Sequence, residues 1–196
     1  MTGIKDMSPA GRLCVFYQRF FAAFSYATAH WVVGSAARFV FAAVLLPYYF
    51  TSAMTKVGDG FGGFFTITNA AYLQIIPQIM ERYSFDPSQV PLFPYGALVA
   101  LATYGEIFLP ILIVVGWFTR LAALGMIVFI AVQTYVDIAF HAVDAKTIGS
   151  LFDRFPDSAI SDQRALWVFL LMVLVWYGPG ILSADFVFGR MVRKQG

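Results

Sequence analysis

The sequence is poor in cysteine and in charge, and each shortage removes a class of function. Cys14 is the only cysteine among 196 residues, so an internal disulfide and a Cys-x-x-Cys dithiol are both excluded. The net charge of +2 comes without a basic cluster, which argues against a nucleic-acid partner. The sequence also lacks a nucleotide-binding fingerprint, an iron–sulfur ligand set and a haem axial pair. Electrons for any redox reaction must therefore come from a partner.

Apolar residues are abundant instead, and they predict a membrane protein. Hydrophobic residues make up 60% of the chain, charged residues only 12%, and the mean hydropathy is +0.73. About a quarter of a soluble domain is charged, so part of the solvent here must be lipid. A helix needs about 20 residues to cross the hydrocarbon core. The sequence therefore predicts an all-α membrane protein, an up-down bundle of four transmembrane helices over residues 39–55, 95–118, 121–143 and 165–184.

Lysine and arginine are distributed unevenly between the two sides of these spans. With both termini on the cytoplasmic side, the inside segments carry eight basic residues and the outside loops carry five. The positive-inside rule therefore predicts that both termini are cytoplasmic and that residues 191–196 form a cytoplasmic tail.

The first 35 residues are apolar but interrupted. Gln18 and Arg19 break the stretch "GRLCVFYQRFFAAFSYATAHWVV", which would be costly at bilayer depth. At 100° per residue, one face collects the basic side chains of Lys5, Arg12, Arg19 and His30. Residues 1–35 are therefore predicted to be an interfacial amphipathic segment, with a fifth span over 13–34 left open. The long loop that follows span one is predicted to hold a short amphipathic helix, broken near Pro77.

Three polar residues recur at four-residue spacing in the apolar run of span three. Gln133, Asp137 and His141 form one stripe on a helix. With a rise of about 1.5 Å per residue, Asp137 lies at about the depth of Lys56. We predict that these two charges pair, because neither is tolerable alone near lipid.

Glu106 in span two is a deeper charge with a proline one turn away. Pro110 cannot donate the hydrogen bond that the Glu106 carbonyl would accept, so a kink is predicted there, with similar kinks at Pro47 and Pro179. An acid beside a kink favours a polar pocket. The candidate pocket residues are Lys56, Tyr104, Glu106, Gln133, Asp137 and His141. The alternative is that these groups only hydrogen-bond between helices and fix their register.

Charges also fall at the cytoplasmic ends of the spans. Arg38, Arg120 and Asp185 are predicted to form an Arg–Asp cluster that locks the orientation of the helices and takes no part in chemistry.

Three stretches resemble the DoxX-like family of small bacterial membrane proteins. They are "RFVFAAVLLPYYFTSAMTKV", "GEIFLPILIVVGWFTRLAAL" and "LWVFLLMVLVWYGPGILSADFVFGR", in the family's order and spacing. The resemblance implies a four-helix domain over residues 36–190 in the bacterial inner membrane. The family takes its name from a subunit of a thiosulfate:quinone oxidoreductase, which implies a link to membrane redox chemistry.

Three functions follow from these residues. The first is an accessory subunit of a membrane redox system that binds a quinone in the pocket and works with a redox partner protein. The second is a metal- or small-solute-binding protein, for which Asp137 and His141 supply only two ligands. The third is a non-catalytic scaffold that docks soluble partners through the N-terminal helix. Enzymatic activity of this chain alone is not expected, and the sequence leaves the oligomeric state open, a homo-oligomer included.

Overall fold

A computed structural model describes residues 8–28 and 32–193, and their regular structure is helical throughout. Lys5, His30 and Lys194 lie outside the described residues. The α-helices are α1 Pro9–Thr28, α2 Val32–Val40, α3 Leu46–Met54, α4 Gly60–Gly63, α5 Asn69–Ile75, α6 Pro77–Arg82, α7 Ala97–Val115, α8 Thr119–Phe140, α9 Ala145–Ile148, α10 Ser161–Tyr177 and α11 Ala184–Arg193. Within these ranges the only β-type pairing is an isolated bridge from Val57 to Ile67.

Three helices of the described chain are long and apolar enough to cross a membrane: Val32–Met54, Leu92–Val115 and Thr119–Phe140. They correspond to the first three predicted spans. α1, Pro9–Thr28, is not among them. Large side chains such as Phe39, Leu101 and Val128 are exposed along these helices, as expected where lipid is the solvent.

The fourth predicted span is shorter than expected. α10 has 17 residues, begins four residues earlier than predicted, and ends at Tyr177 rather than at residue 184. Gly178 follows with φ +78° and Gly180 with φ +76°, so the Gly-Pro-Gly sequence turns the chain instead of bending a longer helix. α10 packs along α8 and α2, and Leu171 and Leu174 are fully buried there.

The proline residues act differently in the first two spans. Before Pro47, residues Phe41–Leu45 form a π-helical segment between α2 and α3, because proline supplies no N–H to the preceding turn. α7 instead continues through Pro110 to Val115, where Gly116 ends it with φ +76°.

The outer-loop prediction is confirmed. α5 and α6 form two short helices separated at Ile76, with Pro77 opening the second, because proline fits the first turn of a helix. Ala71 and Met80 are fully buried against Val99 of α7, so this helical pair covers one end of the spans. We call that end the loop end, and the opposite end, with Gly116 and Gly178, the turn end.

Candidate ligand cleft between the spanning helices

Lys56 and Glu106 form an ion pair inside the protein at the loop end. Lys56 Nζ lies 2.7 Å from Glu106 Oε2, and the two side chains are 7% and 3% exposed. The ammonium also donates to Ser52 Oγ at 2.8 Å, one helical turn earlier. Two opposite charges held this closely offset much of the penalty of leaving water, which neither would bear alone.

The predicted pairing of Lys56 with Asp137 is therefore wrong. The depth estimate measured each side chain at its own Cα, whereas the Lys56 side chain runs back along its helix to Ser52 and reaches Glu106. Asp137 has a different cation.

That cation is Arg164, which lies one residue before the predicted start of span four. Arg164 lies in the first turn of α10, where its guanidinium donates to Asp137 Oδ2 and, at 2.8 Å, to Thr134 Oγ1. α10 and α8 pack together and follow each other as spans, with residues 141–160 between them, so the beginning of α10 lies beside the end of α8. A basic residue at the start of span four was therefore the available signal for a partner of Asp137.

Gln133 and His141 complete the polar stripe on α8. Gln133 Nε2 donates to the Tyr48 hydroxyl at 3.3 Å. Its Oε1 atom is buried and has no hydrogen-bond partner in the described part of the chain. His141 Nε2 lies 3.0 Å from the carbonyl oxygen of Gln74 on α5. One strong acceptor on the stripe is thus unsatisfied, which is uncommon for a buried polar atom.

These residues share a cleft of about 610 Å³ between α7 and α8. Five of the six predicted pocket residues line it: Lys56, Glu106, Gln133, Asp137 and His141. Much of the remaining wall is apolar and comes from Leu98, Leu101, Ala102, Leu109, Val128, Phe129, Val132 and Val136. Leu101 is 73% exposed and Val128 63%, so the cleft opens sideways on the surface that faces lipid.

Gly105 keeps part of this cleft open. It lies on α7 next to Glu106, and a Cβ atom added there would meet no heavy atom within 4 Å. A side chain at this position would therefore extend into the cleft without disturbing the backbone.

Tyr104, the sixth predicted residue, does not line the cleft. Its hydroxyl donates to the carbonyl of Phe64 at 3.1 Å, and the two rings lie 5.7 Å apart. Tyr104 thus fastens the loop after α4 to α7.

Arg38 is buried at the turn end and bonds only to backbone. It donates to the carbonyl of Ile113 at 2.9 Å, to that of Pro179 at 3.1 Å, and also to those of Val114 and Leu182. These carbonyls include the end of α7 and the turn after α10. Arg38 therefore caps the end of α7 and links it to the turn after α10.

Asp185 and Arg120 also bond to backbone rather than to each other. Asp185 accepts from the backbone N–H groups of Phe118, at 2.8 Å, and Thr119, at 3.0 Å, so it caps the start of α8. Arg120 reaches the Trp176 carbonyl at 3.4 Å. No ion pair joins Arg38, Arg120 and Asp185 in the described structure, although Arg120 and Asp185 line the same groove. Their role as an orientation lock stays a prediction.

A metal site is not assembled in the same region. Residues 8–28 and 32–193 contain no group of three or more His, Cys, Asp or Glu side chains placed to hold a metal ion. Asp137 is committed to Arg164, and His141 to a backbone carbonyl.

The helices and the exposed apolar faces define a multi-pass membrane protein. The DoxX family profile matches residues 35–142, more than half of the chain, so the protein belongs to the DoxX family. The matched region contains the first three predicted spans almost entirely and all the residues that line the cleft. Arg164, which pairs with Asp137, and the stretch 166–190 that resembles the family both lie beyond it. No curated protein and no solved structure matches the chain.

Proposed function

We propose that the cleft holds a quinone-like, lipid-soluble molecule and that the protein serves as an accessory subunit of a membrane redox system. The observation that carries this is the shape of the cleft, which opens to lipid through apolar walls and ends at a cluster of polar groups. A molecule with an apolar tail and a polar ring fits such a site, because ligand pockets are mainly apolar with a few placed polar groups.

The polar end matches what a quinone ring requires. Quinone carbonyls accept hydrogen bonds, and the third N–H of the Lys56 ammonium, which makes only a long 3.4 Å contact with the Ser52 carbonyl, is a donor for one at the cleft wall. A quinol hydroxyl donates, and the unpaired Gln133 Oε1 is an acceptor for it. Reduction adds two electrons and two protons. The electrons come from a partner protein, and His141 at the exposed rim is placed to exchange protons with water.

A fourth span and a fixed orientation are part of this proposal. α10 packs between α8 and α2, and α7 packs against both α8 and α3, so the helices form a closed ring. We assign α10 as the fourth transmembrane helix of a domain over residues 36–190, in the bacterial inner membrane with both termini cytoplasmic. The proposed boundaries at 35 and 190 fall inside α2 and α11.

α1 is assigned as a helix that lies in the membrane surface. Phe16, Phe20 and Phe24 form an exposed stacked row along one side, with centroids 6.3 and 6.4 Å apart. At 100° per residue, Arg19 falls about 100° from the middle of this row, on a different side of the helix, whereas Arg12 lies one turn before Phe16 at the end of the row. Aromatic residues toward the acyl chains and arginines toward the headgroups are typical of interfacial helices.

The test is binding of a short-chain ubiquinone to the detergent-purified protein, followed by native mass spectrometry. Wild type is expected to bind one molecule, and decanol, which has a tail but no carbonyl, is not expected to compete. Gly105→Phe fills the cleft while leaving the ion pair intact and should weaken binding about ten-fold or more, a change of about 1.4 kcal/mol. The matched control is Ala131→Phe, an equal enlargement at an exposed position of α8 outside the cleft.

Other outcomes would redirect the assignment. Equal binding by wild type and Gly105→Phe would place the quinone elsewhere and overturn the proposal. Stoichiometric metal lost in His141→Ala would favour the metal-binding alternative. An unchanged cellular phenotype in Gly105→Phe, Glu106→Gln and Asp137→Asn, with the variants folded, would favour the scaffold.

A further inference from the structure

A second cavity lies at the turn end and shares no lining residue with the cleft. It is a groove of about 770 Å³ between the start of α8, the turn after α10, and α11. Its lining includes Arg120 and Arg190, the aromatic side chains Phe118, Tyr177 and Phe186, and the backbone of the Gly-Pro-Gly turn. None of these residues belongs to the quinone proposal, so the two are independent.

α11 forms one wall of this groove and has two distinct faces. Val187, Phe188 and Met191 are each about half exposed, at 49%, 54% and 50%, and fall on one side of the helix. Phe186 and Arg190 fall on the other side and line the groove. A short helix with these faces belongs at the boundary between acyl chains and headgroups, which places the groove at headgroup level.

The groove has a surplus of positive charge. Asp185 is the only acid among the described residues of its lining, and its carboxylate already accepts three hydrogen bonds, from Phe118 N, Thr119 N and Thr119 Oγ1. The helix terminus that it caps carries partial positive charge, which offsets the carboxylate further. The two arginines face no other acid in this groove.

Both guanidinium groups have donors to spare. Arg120 makes a single long hydrogen bond, 3.4 Å from Nη2 to the Trp176 carbonyl. Arg190 lies over the ring of Phe186, with Cζ 4.5 Å from the centroid, and makes no hydrogen bond within the described chain. Stacking on a ring fixes the plane of the guanidinium and leaves its edge available.

We propose that this groove binds the phosphate of an anionic membrane lipid. Arginine side chains bind phosphate oxygens bidentately, and two of them at headgroup level recognise a lipid whose negative charge is not offset by choline or ethanolamine. The acyl chains of that lipid would lie beside the exposed apolar face of α11. The bound lipid thereby fixes α11 against the turn end.

The test uses delipidated full-length protein, native mass spectrometry, and two short-chain lipids that differ only in headgroup. Dioctanoyl phosphatidylglycerol is expected to bind in preference to dioctanoyl phosphatidylcholine. Arg190→Gln should weaken phosphatidylglycerol binding about ten-fold, equal to about 1.4 kcal/mol, close to the value of one hydrogen bond to a charged group. Arg190→Lys keeps the charge and should recover part of the affinity.

Two further variants separate the effect of net charge on lipid binding from the effect of the groove's free volume. Arg154 stacks on Phe155 at 4.8 Å in the same way but lies at the loop end, so Arg154→Gln is the matched control and should leave binding unchanged. Gly189 lines the groove, and a Cβ there would meet nothing within 4 Å. Gly189→Leu should therefore weaken binding without altering charge.

Three results would overturn the proposal. The first is equal binding of the two lipids. The second is an equal loss in Arg190→Gln and Arg154→Gln, which would indicate a general charge effect. The third is displacement of the lipid by inorganic phosphate at the same concentration, which would make this a site for free anions.

Discussion

Buried charges are used in two different ways at the two ends of this molecule. At the loop end each charge meets a side chain of opposite sign, as Lys56 meets Glu106 and Arg164 meets Asp137. At the turn end the buried charge Arg38 forms no ion pair within the described residues, and its hydrogen bonds go to backbone carbonyls. A pair of side chains can be removed together, whereas a backbone carbonyl cannot be removed at all. The loop end is therefore chemically adjustable, and the turn end is a fixed structural joint.

The largest effect is expected at the turn end. Arg38→Met leaves the carbonyls of Ile113, Val114, Pro179 and Leu182 without this donor. The Ile113 carbonyl still accepts from Gly116 N at 3.2 Å, so the loss falls mainly on the other three carbonyls. Since an unsatisfied buried group costs about 1–3 kcal/mol, we expect the free energy of unfolding to fall by about 4 kcal/mol or more. Denaturant unfolding in lipid-free micelles measures this. Arg120→Met, which removes a single long bond at an exposed position, is the control and should change the free energy by less than about 1 kcal/mol.

The next effect tests whether the loop-end pair can be removed as a unit. Lys56→Met leaves Glu106 buried beside no cation and should destabilise the protein by about 3 kcal/mol. The double variant Lys56→Met/Glu106→Leu should recover most of that loss, because two apolar side chains replace a buried ion pair at little cost. If the double variant is as unstable as Lys56→Met alone, the ion pair, like Arg38, is needed to hold the helices together.

The smallest effect is expected outside the membrane, where Asp144 caps α9. Hydrogen bonds from the Thr147 hydroxyl and then from its backbone N–H lower the pKa of Asp144 below 3.8. A lowered pKa means that the cap is fully present above the unfolded value and is lost as the pH falls through the folded value. Hydrogen exchange at the Thr147 amide should therefore accelerate below about pH 4, near the reference pKa of aspartate. Exchange in Asp144→Asn, measured in the same way, should show no such step.

The sequence was informative about the cleft because a helix has a fixed period. Gln133, Asp137 and His141 lie on one stripe at four-residue spacing, and the cleft brings that stripe beside Glu106. Partners were harder to predict than positions. Lys56 carries a long flexible side chain, so the depth of its Cα atom did not locate its ammonium group.

The bounds of α10, the fourth predicted span, show a second limit of prediction from the sequence. An apolar run does not indicate where a helix begins or ends, and the start at Ser161 placed Arg164 on a helix rather than in a loop. The Gly-Pro-Gly sequence ended the span early, and residues assigned to the span and the tail form α11 instead. The placement of α11 involves a contact with the turn after α7, where Asp185 N donates to the Gly116 carbonyl at 2.9 Å, and such a contact cannot be read from a local pattern.

The pairing of charges at the loop end has an electrical consequence. Both ion pairs are neutral in sum, and a quinone is neutral as well, so filling or emptying the cleft transfers no net charge along the membrane normal. A unit charge moved across the whole membrane field is worth about 2.3 kcal/mol per 100 mV, whereas a neutral exchange is worth nothing. Occupancy of the cleft by the proposed quinone would thus be set by the quinone concentration in the bilayer and would be insensitive to the membrane voltage.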